Sequence, residues 1–196
     1  MGVLARSIKQ FLIYALAGYL FFGASASANK LNSAISVQLF PMDGGFEVKA
    51  SYATPLSQCQ AYALLTNFND NEPSESIRSS KVTRLSENTV RVEQRIEDTT
   101  LLFSTHFDSI IDYTEEPSKA MQFKQLKGYL KEYRGSWLLT PIEGGTVFTF
   151  NAFLQLDSIF PQFLIKQFLL SRMESRFEKM AARAKARVDL IPDQCK

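Results

Sequence analysis

The sequence has few of the residues that build most active sites. Among its 196 residues it contains a single histidine, His106, and two cysteines, Cys59 and Cys195. A lone histidine with no nucleophile motif beside it cannot be given a role in a catalytic triad, and a first-row metal site needs more than one histidine or cysteine ligand. We therefore assign no catalytic residue and no metal ligand, and we expect no cofactor.

The sequence also has no excess of charge of one sign. Its 22 basic residues stand against 20 acidic residues, which gives a formal net charge of +2. Proteins that bind nucleic acid usually carry a basic face, so we expect no nucleic-acid partner. The chain is instead rich in phenylalanine, with 16 residues, and 45% of all residues are apolar. That content suffices for one core in a domain of ordinary size, and we expect a monomer.

The most prominent apolar run of the chain is short and lies near its beginning. Residues 11–22 (FLIYALAGYLFF) follow Arg6 and Lys9 and precede the small residues GASASA at 23–28. This run is shorter than the roughly 20 residues needed to span a bilayer. A basic start, an apolar centre and alanines alternating with small residues are together typical of a cleavable secretory signal peptide.

We therefore predict a signal peptide over residues 1–28 and an exported protein, periplasmic or secreted. The small side chains allow cleavage before Asn29 or before Ser27. A retained membrane anchor is the alternative interpretation of the segment. Removal of residues 1–28 takes away two basic residues and no acidic one, so the mature chain carries 20 residues of each sign.

The two cysteines have two interpretations in an exported protein. Cys59 and Cys195 stand 136 positions apart. In an oxidising compartment they can form a disulfide, which would tie the early part of the domain to its tail. The alternative is two free thiols.

The hydrophobic pattern after residue 28 indicates one α+β domain, residues 29–196. Alternation of apolar and polar residues predicts a strand pair, then six further strands separated by turns. Thr54 as N-cap and Pro55 in the first turn predict a helix start between these two groups. Apolar residues spaced three and four apart predict a long closing helix over residues 160–190. The predicted strands are residues 34–40, 46–53, 81–85, 89–98, 101–113, 119–127, 131–140 and 146–156.

Successive antiparallel strands and one long amphipathic helix predict a curved sheet with the helix across its concave face. A curved sheet and a helix do not touch along their whole length, and the remaining space is a natural small-molecule site. Strand and helix periodicity predict the side chains that line it. These candidate ligand-binding residues are Val92, Phe103, Phe107, Phe123, Trp137, Phe148, Phe150, Phe163, Leu164, Phe168 and Met173. A filled core without ligand is the alternative.

The same periodicity places two polar features on the outside. His106 alternates with Phe107 and is predicted to face solvent. Arg172, Arg176, Lys179 and other basic residues of the last helix follow a separate stripe interleaved with acids, which favours solvated ion pairs. A face for transient membrane contact is the alternative interpretation of that helix, because Phe160, Phe163 and Leu169 stand near its start.

Four segments in this order resemble the START-like, helix-grip superfamily. They are residues 46–50 with the helix at 61–68, the hairpin of 77–85 and 90–94, the strand at 133–141 and the turn at 144–146. Together with the long helix they look most similar to the polyketide cyclase/dehydrase and coenzyme Q-binding branch. The match spans roughly residues 45–188. The resemblance implies an α+β helix-grip fold, a curved antiparallel sheet wrapped around a long C-terminal helix, and a hydrophobic pocket.

The resemblance implies several functions, since members of the superfamily are carriers as well as enzymes. The leading hypothesis is a non-catalytic, exported binder or carrier of a hydrophobic small molecule: a lipid, a quinone or an aromatic compound. The second is a cyclase or dehydrase on the same scaffold, which needs an inward-facing acid, tyrosine or histidine. The third is a protein-interaction module, which would show an exposed apolar patch.

Overall fold

The computed structural model describes residues 35–68, 77–101, 103–156 and 161–191, with the side chains of 98–105 left aside. The predicted signal peptide lies outside the described residues. The described ranges form eight strands and two helices. The strands are β1 (Ser36–Met42), β2 (Gly45–Thr54), β3 (Ile77–Arg84), β4 (Thr89–Leu101), β5 (Phe103–Glu116), β6 (Ala120–Lys127), β7 (Glu132–Ile142) and β8 (Gly145–Gln155). The helices are α1 (Gln58–Leu65) and α2 (Gln162–Ala186).

The strands form one curved antiparallel sheet in the order β1-β2-β8-β7-β6-β5-β4-β3. Strands consecutive in the chain are neighbours in the sheet except β2 and β3, and β2 pairs with β8, the last strand of the chain. The register sets Tyr52 opposite Phe148 and Trp137 opposite Phe150. The predicted α+β helix-grip architecture is therefore confirmed.

Helix α1 begins three residues later than the sequence analysis predicted. Ser57 is the N-cap: its hydroxyl accepts a bond from the Gln60 amide at 3.2 Å, and the Gln60 side chain accepts one from the Ser57 amide at 3.0 Å. This is a complete capping box. The prediction of Thr54 as N-cap was wrong because Thr54 ends β2, where its buried hydroxyl donates to the Thr146 carbonyl at 3.4 Å.

Helix α1 ties the sheet to the end of α2. The Gln58 side chain donates to the Leu139 carbonyl of β7 at 3.1 Å. The Gln60 side chain donates to the carbonyls of Val188 at 3.0 Å and Ile191 at 2.7 Å, just after α2. Between these two anchors, Cys59 is disulfide-bonded. The only other cysteine of the sequence, Cys195, lies outside the described residues.

Helix α2 packs against β1 and β2 through one apolar stripe. The stripe recurs every three or four residues, as an α-helix requires. Phe177, Leu169 and Ala184 are its buried members. Ile165, Met173, Met180, Ala181 and Val188 are half-buried and pack against the same core. This stripe holds the helix over one half of the sheet.

The outer face of the sheet is polar and carries ion pairs between neighbouring strands. Arg91 on β4 bonds both oxygens of Asp112 on β5, at 2.7 and 2.8 Å. The side chain of His106 is 62% exposed and lies 3.9 Å from Glu97, which confirms its predicted orientation toward solvent. Within the described ranges, neither helix combines the length and the apolar character required to cross a bilayer.

Candidate ligand-binding site

The inner face of the sheet divides into two halves with different packing. Under α2, five buried aromatic rings fill the space, and we call them the aromatic core: Tyr52, Trp137, Phe148, Phe150 and Phe177. Tyr52 stacks on Phe148 with ring centroids 4.8 Å apart, and Trp137 lies 4.6 Å from Phe150. Phe177 contributes the helix side of this cluster, 5.5 Å from Phe150 and 5.7 Å from Trp137. This half is a filled hydrophobic core.

The other half of the inner face extends beyond the strands that α2 packs against. Here Ile111 and Tyr113 of β5 and Tyr133 of β7 are half-buried and keep accessible surface. Their strand partners show that they face inward, because Tyr113 pairs with buried Phe123 and Tyr133 with buried Leu154. Side chains that face the interior and still keep surface line a space between helix and sheet.

Arg176 closes this space from the helix side. Its Nη1 donates to the Tyr133 hydroxyl at 3.5 Å, although the residue as a whole is exposed. The charge of Arg176 also acts on the phenols of Tyr113 and Tyr52. We call the space between Arg176 and the side chains of Ile111, Tyr113 and Tyr133 the inner cleft.

Burial keeps one phenol of the inner cleft, that of Tyr113, neutral. Burial raises the pKa of Tyr113 to about 12, and the nearby Tyr133 acts in the same direction. Burial likewise raises the pKa of Tyr52 above its ordinary value. A neutral phenol donates a hydrogen bond, so at neutral pH the cleft offers hydroxyl donors and one cation.

A second polar group lies at the rim of the inner face. Glu115 of β5 pairs with buried Met121, and its side chain is only 8% exposed. Arg84 of β3 reaches it with a nitrogen–oxygen distance of 3.1 Å. Burial, and then the Glu115 carboxylate, raise the pKa of Tyr62 on α1. This ion pair and phenol flank the end of the cleft that faces α1.

Gly135 leaves room for the Phe123 ring on the inner face of the sheet. It pairs with Phe123 across β6 and β7. A side chain at this position would place its Cβ 2.8 Å from the Phe123 ring, which is closer than real carbon contacts allow. The Phe123 ring therefore lies over Gly135, where it stacks 5.7 Å from Phe150 and 4.8 Å from Tyr133.

The predicted lining residues are distributed over several environments. Phe123, Trp137, Phe148 and Phe150 are buried in the core, and Met173 packs against its edge. Val92 is buried outside this cluster, on the inner face of β4. Phe107 is half-buried, with its ring 5.8 Å from that of Tyr129. The side chain of Phe103 is among those not described.

Three predicted lining residues of α2 are exposed, which corrects the interpretation of that helix. Phe163, Leu164 and Phe168 are 66%, 47% and 42% exposed. Phe168 precedes the buried Leu169 by one position, which turns it by about 100° from that side chain. The start of the helix carries two apolar stripes. The stripe that includes Ile165 and Leu169 packs against the core, and the other stripe is exposed.

Sequence reasoning missed the two inward charges, Arg176 and Glu115. Arg176 was assigned to the solvated basic stripe, yet its guanidinium faces the tyrosines of the sheet. Glu115 was assigned to a turn, whereas β5 continues to Glu116. The alternation of strand residues could have identified Glu115 as inward-facing, because it stands two positions after Tyr113 and four after Ile111, on the same face of the strand. No comparable signal existed for Arg176.

Open grooves also lie on the outer face of the sheet. One groove of about 600 Å³ is lined by residues of β4 to β7 that include Asp112, Lys124 and Arg134. This groove is open to solvent, whereas small-molecule sites are concave and bury most of the ligand. The inner cleft is therefore the better candidate for such a ligand.

Comparison with solved structures relates this geometry to known folds. A STAR-related lipid transfer protein from Xanthomonas axonopodis superposes with a TM-score of 0.61 at 12% identity, covering 76% of this chain and 93% of that one. Human STARD10 gives 0.59 at 11% identity, with 76% and 69% covered. The di-domain ARO/CYC protein BexL of the BE-7585A biosynthetic pathway gives 0.62 at 12% identity, with 77% and 52% covered.

This chain thus corresponds to about half of the di-domain protein and to most of the lipid transfer protein. No protein-family model and no curated protein sequence matches it. At these identities the comparison concerns the fold, and the chain has the START-like helix-grip fold.

Proposed function

We propose that this helix-grip domain binds one hydrophobic small molecule in the inner cleft and carries it without chemical change. The observation that carries the proposal is that Ile111, Tyr113 and Tyr133 face the interior and keep accessible surface beside a filled aromatic core. Burying such side chains fully would stabilise the fold by about 1.5–3 kcal/mol each. Leaving them partly accessible is a cost that a bound ligand removes.

The similar folds of lipid transfer and aromatase/cyclase proteins support an apolar ligand. A lipid, a quinone or an aromatic compound suits the cleft, because aliphatic Ile111 and the rings of Tyr113 and Tyr133 keep accessible surface there. Flat aromatic rings stack on such side chains with centroid distances of about 4.5–7 Å. We further propose that the domain works outside the cytoplasm, on the strength of the predicted signal peptide at residues 1–28.

The exposed start of α2 supports transient contact with a membrane during ligand transfer. Phe163, Leu164 and Phe168 form an apolar patch there, and the Arg172 guanidinium lies over the Phe168 ring at 5.3 Å. Aromatic and aliphatic side chains flanked by basic groups insert at the headgroup level of anionic bilayers. Binding to vesicles should therefore weaken when Phe163 and Phe168 are both changed to serine.

The binding proposal is tested by titrating the protein with a neutral anthracene derivative whose absorption overlaps tryptophan emission. The sequence has one tryptophan, Trp137, 4% exposed beside the cleft floor. We expect saturable quenching of its emission at one probe per chain. Quenching that never saturates, or that needs probe aggregates, would refute a defined site.

Two adjacent isoleucines provide a matched pair of variants for this titration. Ile111 faces the inner cleft, whereas Ile110 pairs with Glu93 on the outer face. Ile111→Phe places extra volume in the cleft and should weaken probe binding about tenfold, a change of 1.4 kcal/mol. Ile110→Phe should leave it unchanged. Equal effects of the two variants would place the probe elsewhere.

A cyclase or dehydrase is the second candidate, and one observation favours it. The inner face carries polar groups, the Glu115–Arg84 pair and the phenols of Tyr62 and Tyr113, so it is not lined by hydrocarbon alone. An enzyme would convert a reactive polyketone chain to a cyclic product, and its rate would fall in Glu115→Gln. A carrier would return the same molecule unchanged, as mass spectrometry of the recovered ligand would show.

A further inference from the structure

Arg176 has an unusual setting for a basic residue on an otherwise solvated helix. It stands between Met173 and Met180 on the flank of α2 that faces the core. Its Nη1 donates to the Tyr133 hydroxyl at 3.5 Å, and the groups that act on its charge are the phenols of Tyr133, Tyr113 and Tyr52. All three tyrosines project from the inner face of the sheet.

No carboxylate of the described residues neutralises this guanidinium. The acids nearest in sequence, Glu174 and Glu178, stand two positions away on α2, and residues at that spacing do not face each other. The inward acid, Glu115, is paired with Arg84 at the rim. Tyr113 stays neutral because burial raises its pKa to about 12. Among the described residues, the inner cleft therefore holds one positive charge that no carboxylate compensates, next to the hydroxyl groups of the tyrosines.

This composition matches an anionic head group attached to an apolar body. A guanidinium presents parallel N–H donors that match the two oxygens of a carboxylate or phosphate. The adjacent phenols add single O–H donors to such oxygens. Ile111 and Met173, together with the rings of Tyr113 and Tyr133, supply the apolar surface next to them.

We propose that the ligand of the inner cleft is an anionic amphiphile, whose carboxylate or phosphate binds Arg176 and the Tyr133 hydroxyl while its apolar part lies on the cleft floor. This inference rests on the proposed binding function and narrows it to one chemical class. It assigns Arg176 and Tyr133 as ligand-binding residues, which neither composition nor periodicity indicates.

The test compares three ligands with the same twelve-carbon chain: dodecanol, dodecanoate and dodecyl phosphate. Each displaces the neutral anthracene derivative from the protein at pH 7. We expect one or both anions to bind at least about tenfold more tightly than dodecanol, as charge-assisted bonds predict. The tighter anion identifies carboxylate or phosphate as the preferred head group.

Variants assign that preference to Arg176. Arg176→Gln should bring the affinity for the anions down to that for dodecanol and leave dodecanol binding unchanged. Lys179→Gln removes the same charge from the exposed side of α2 and should preserve the preference. Tyr133→Phe, which keeps the ring, should weaken anion binding alone by about threefold, and it tests the site independently if Arg176→Gln does not fold.

The outcomes separate the two proposals. The head-group inference is overturned if all three ligands bind equally to the unmodified protein. It is also overturned if Lys179→Gln lowers the affinity for the anions as much as Arg176→Gln does. In both cases the proposal of a hydrophobic carrier stands. If neither dodecanol nor the anthracene derivative binds, the proposed function fails, and the inference fails with it.

Discussion

Replacing Phe177 by alanine tests the packing that positions the helix over the sheet. Phe177 is 1% exposed and is the one aromatic ring of α2 in the aromatic core. Its centroid lies 5.9 Å from Tyr52, 5.7 Å from Trp137 and 5.5 Å from Phe150. Removal of this ring leaves a cavity between three rigid rings that pair within the sheet and cannot collapse easily.

Truncations of buried phenylalanine to alanine cost about 3–5 kcal/mol. For a chain of this size each kcal/mol lowers the melting temperature by about 2–4 °C, so we expect Phe177→Ala to melt about 6–20 °C below the unmodified protein. This is a large part of the 5–15 kcal/mol that holds a typical domain folded.

Urea denaturation followed by tryptophan emission measures the free energy of unfolding with a probe inside the aromatic core. Trp137 is the single tryptophan and contacts Phe177 directly. Phe163→Ala on the same helix is the control, because its side chain is 66% exposed and such substitutions change stability by less than about 0.5 kcal/mol. The described packing would be refuted if Phe177→Ala lowered the free energy of unfolding by less than about 1 kcal/mol, or if both variants lowered it equally.

Three further predictions concern ion pairing, the disulfide and the buried phenol. The bidentate bond from Arg91 holds the pKa of Asp112 below its ordinary value, so the stability from this pair is present above about pH 4 and is lost as the pH falls through the lowered pKa; NMR titration should show that pKa rise toward the ordinary value in Arg91→Gln, and no rise would contradict the pairing. Cys59 is disulfide-bonded, and we expect its partner to be Cys195, so alkylation should modify neither cysteine before reduction, and reduction should destabilise the domain by about 2–5 kcal/mol. Burial raises the pKa of Tyr113 to about 12, so a spectrophotometric titration should lose one late-ionising phenol in Tyr113→Phe, and an unchanged titration curve would count against a deeply placed hydroxyl.

The strands of this protein could be predicted well from its sequence, because one face of the sheet is buried. Period-two alternation requires only a difference between the two faces, which residues 89–98 and 146–156 show throughout their length. The predicted strand at 81–85 was too short, since β3 begins at Ile77. The three residues after Ile77, namely Arg78, Ser79 and Ser80, are all polar and show no alternation.

The inner cleft was harder to predict because it depends on where the helix lies on the sheet. Helical periodicity groups Arg176 with Met173 and Met180 as well as with Lys179, since an arginine can stand at the edge of either face. Only the packing of α2 against β1 and β2 decides that Arg176 faces Tyr133. The exposure of Phe163 and Phe168 also depends on how the helix packs. The sequence shows two apolar stripes at the start of α2 but does not indicate which of them contacts the sheet.

Native mass spectrometry of the purified chain tests the central claim most directly, which is that the space between α2 and the sheet holds one hydrophobic molecule. We expect a population heavier than the polypeptide by the mass of one small molecule, lost on extraction with organic solvent and restored by adding dodecanoate. A spectrum of bare polypeptide that gains no mass with dodecanoate, dodecyl phosphate or dodecanol would contradict the account.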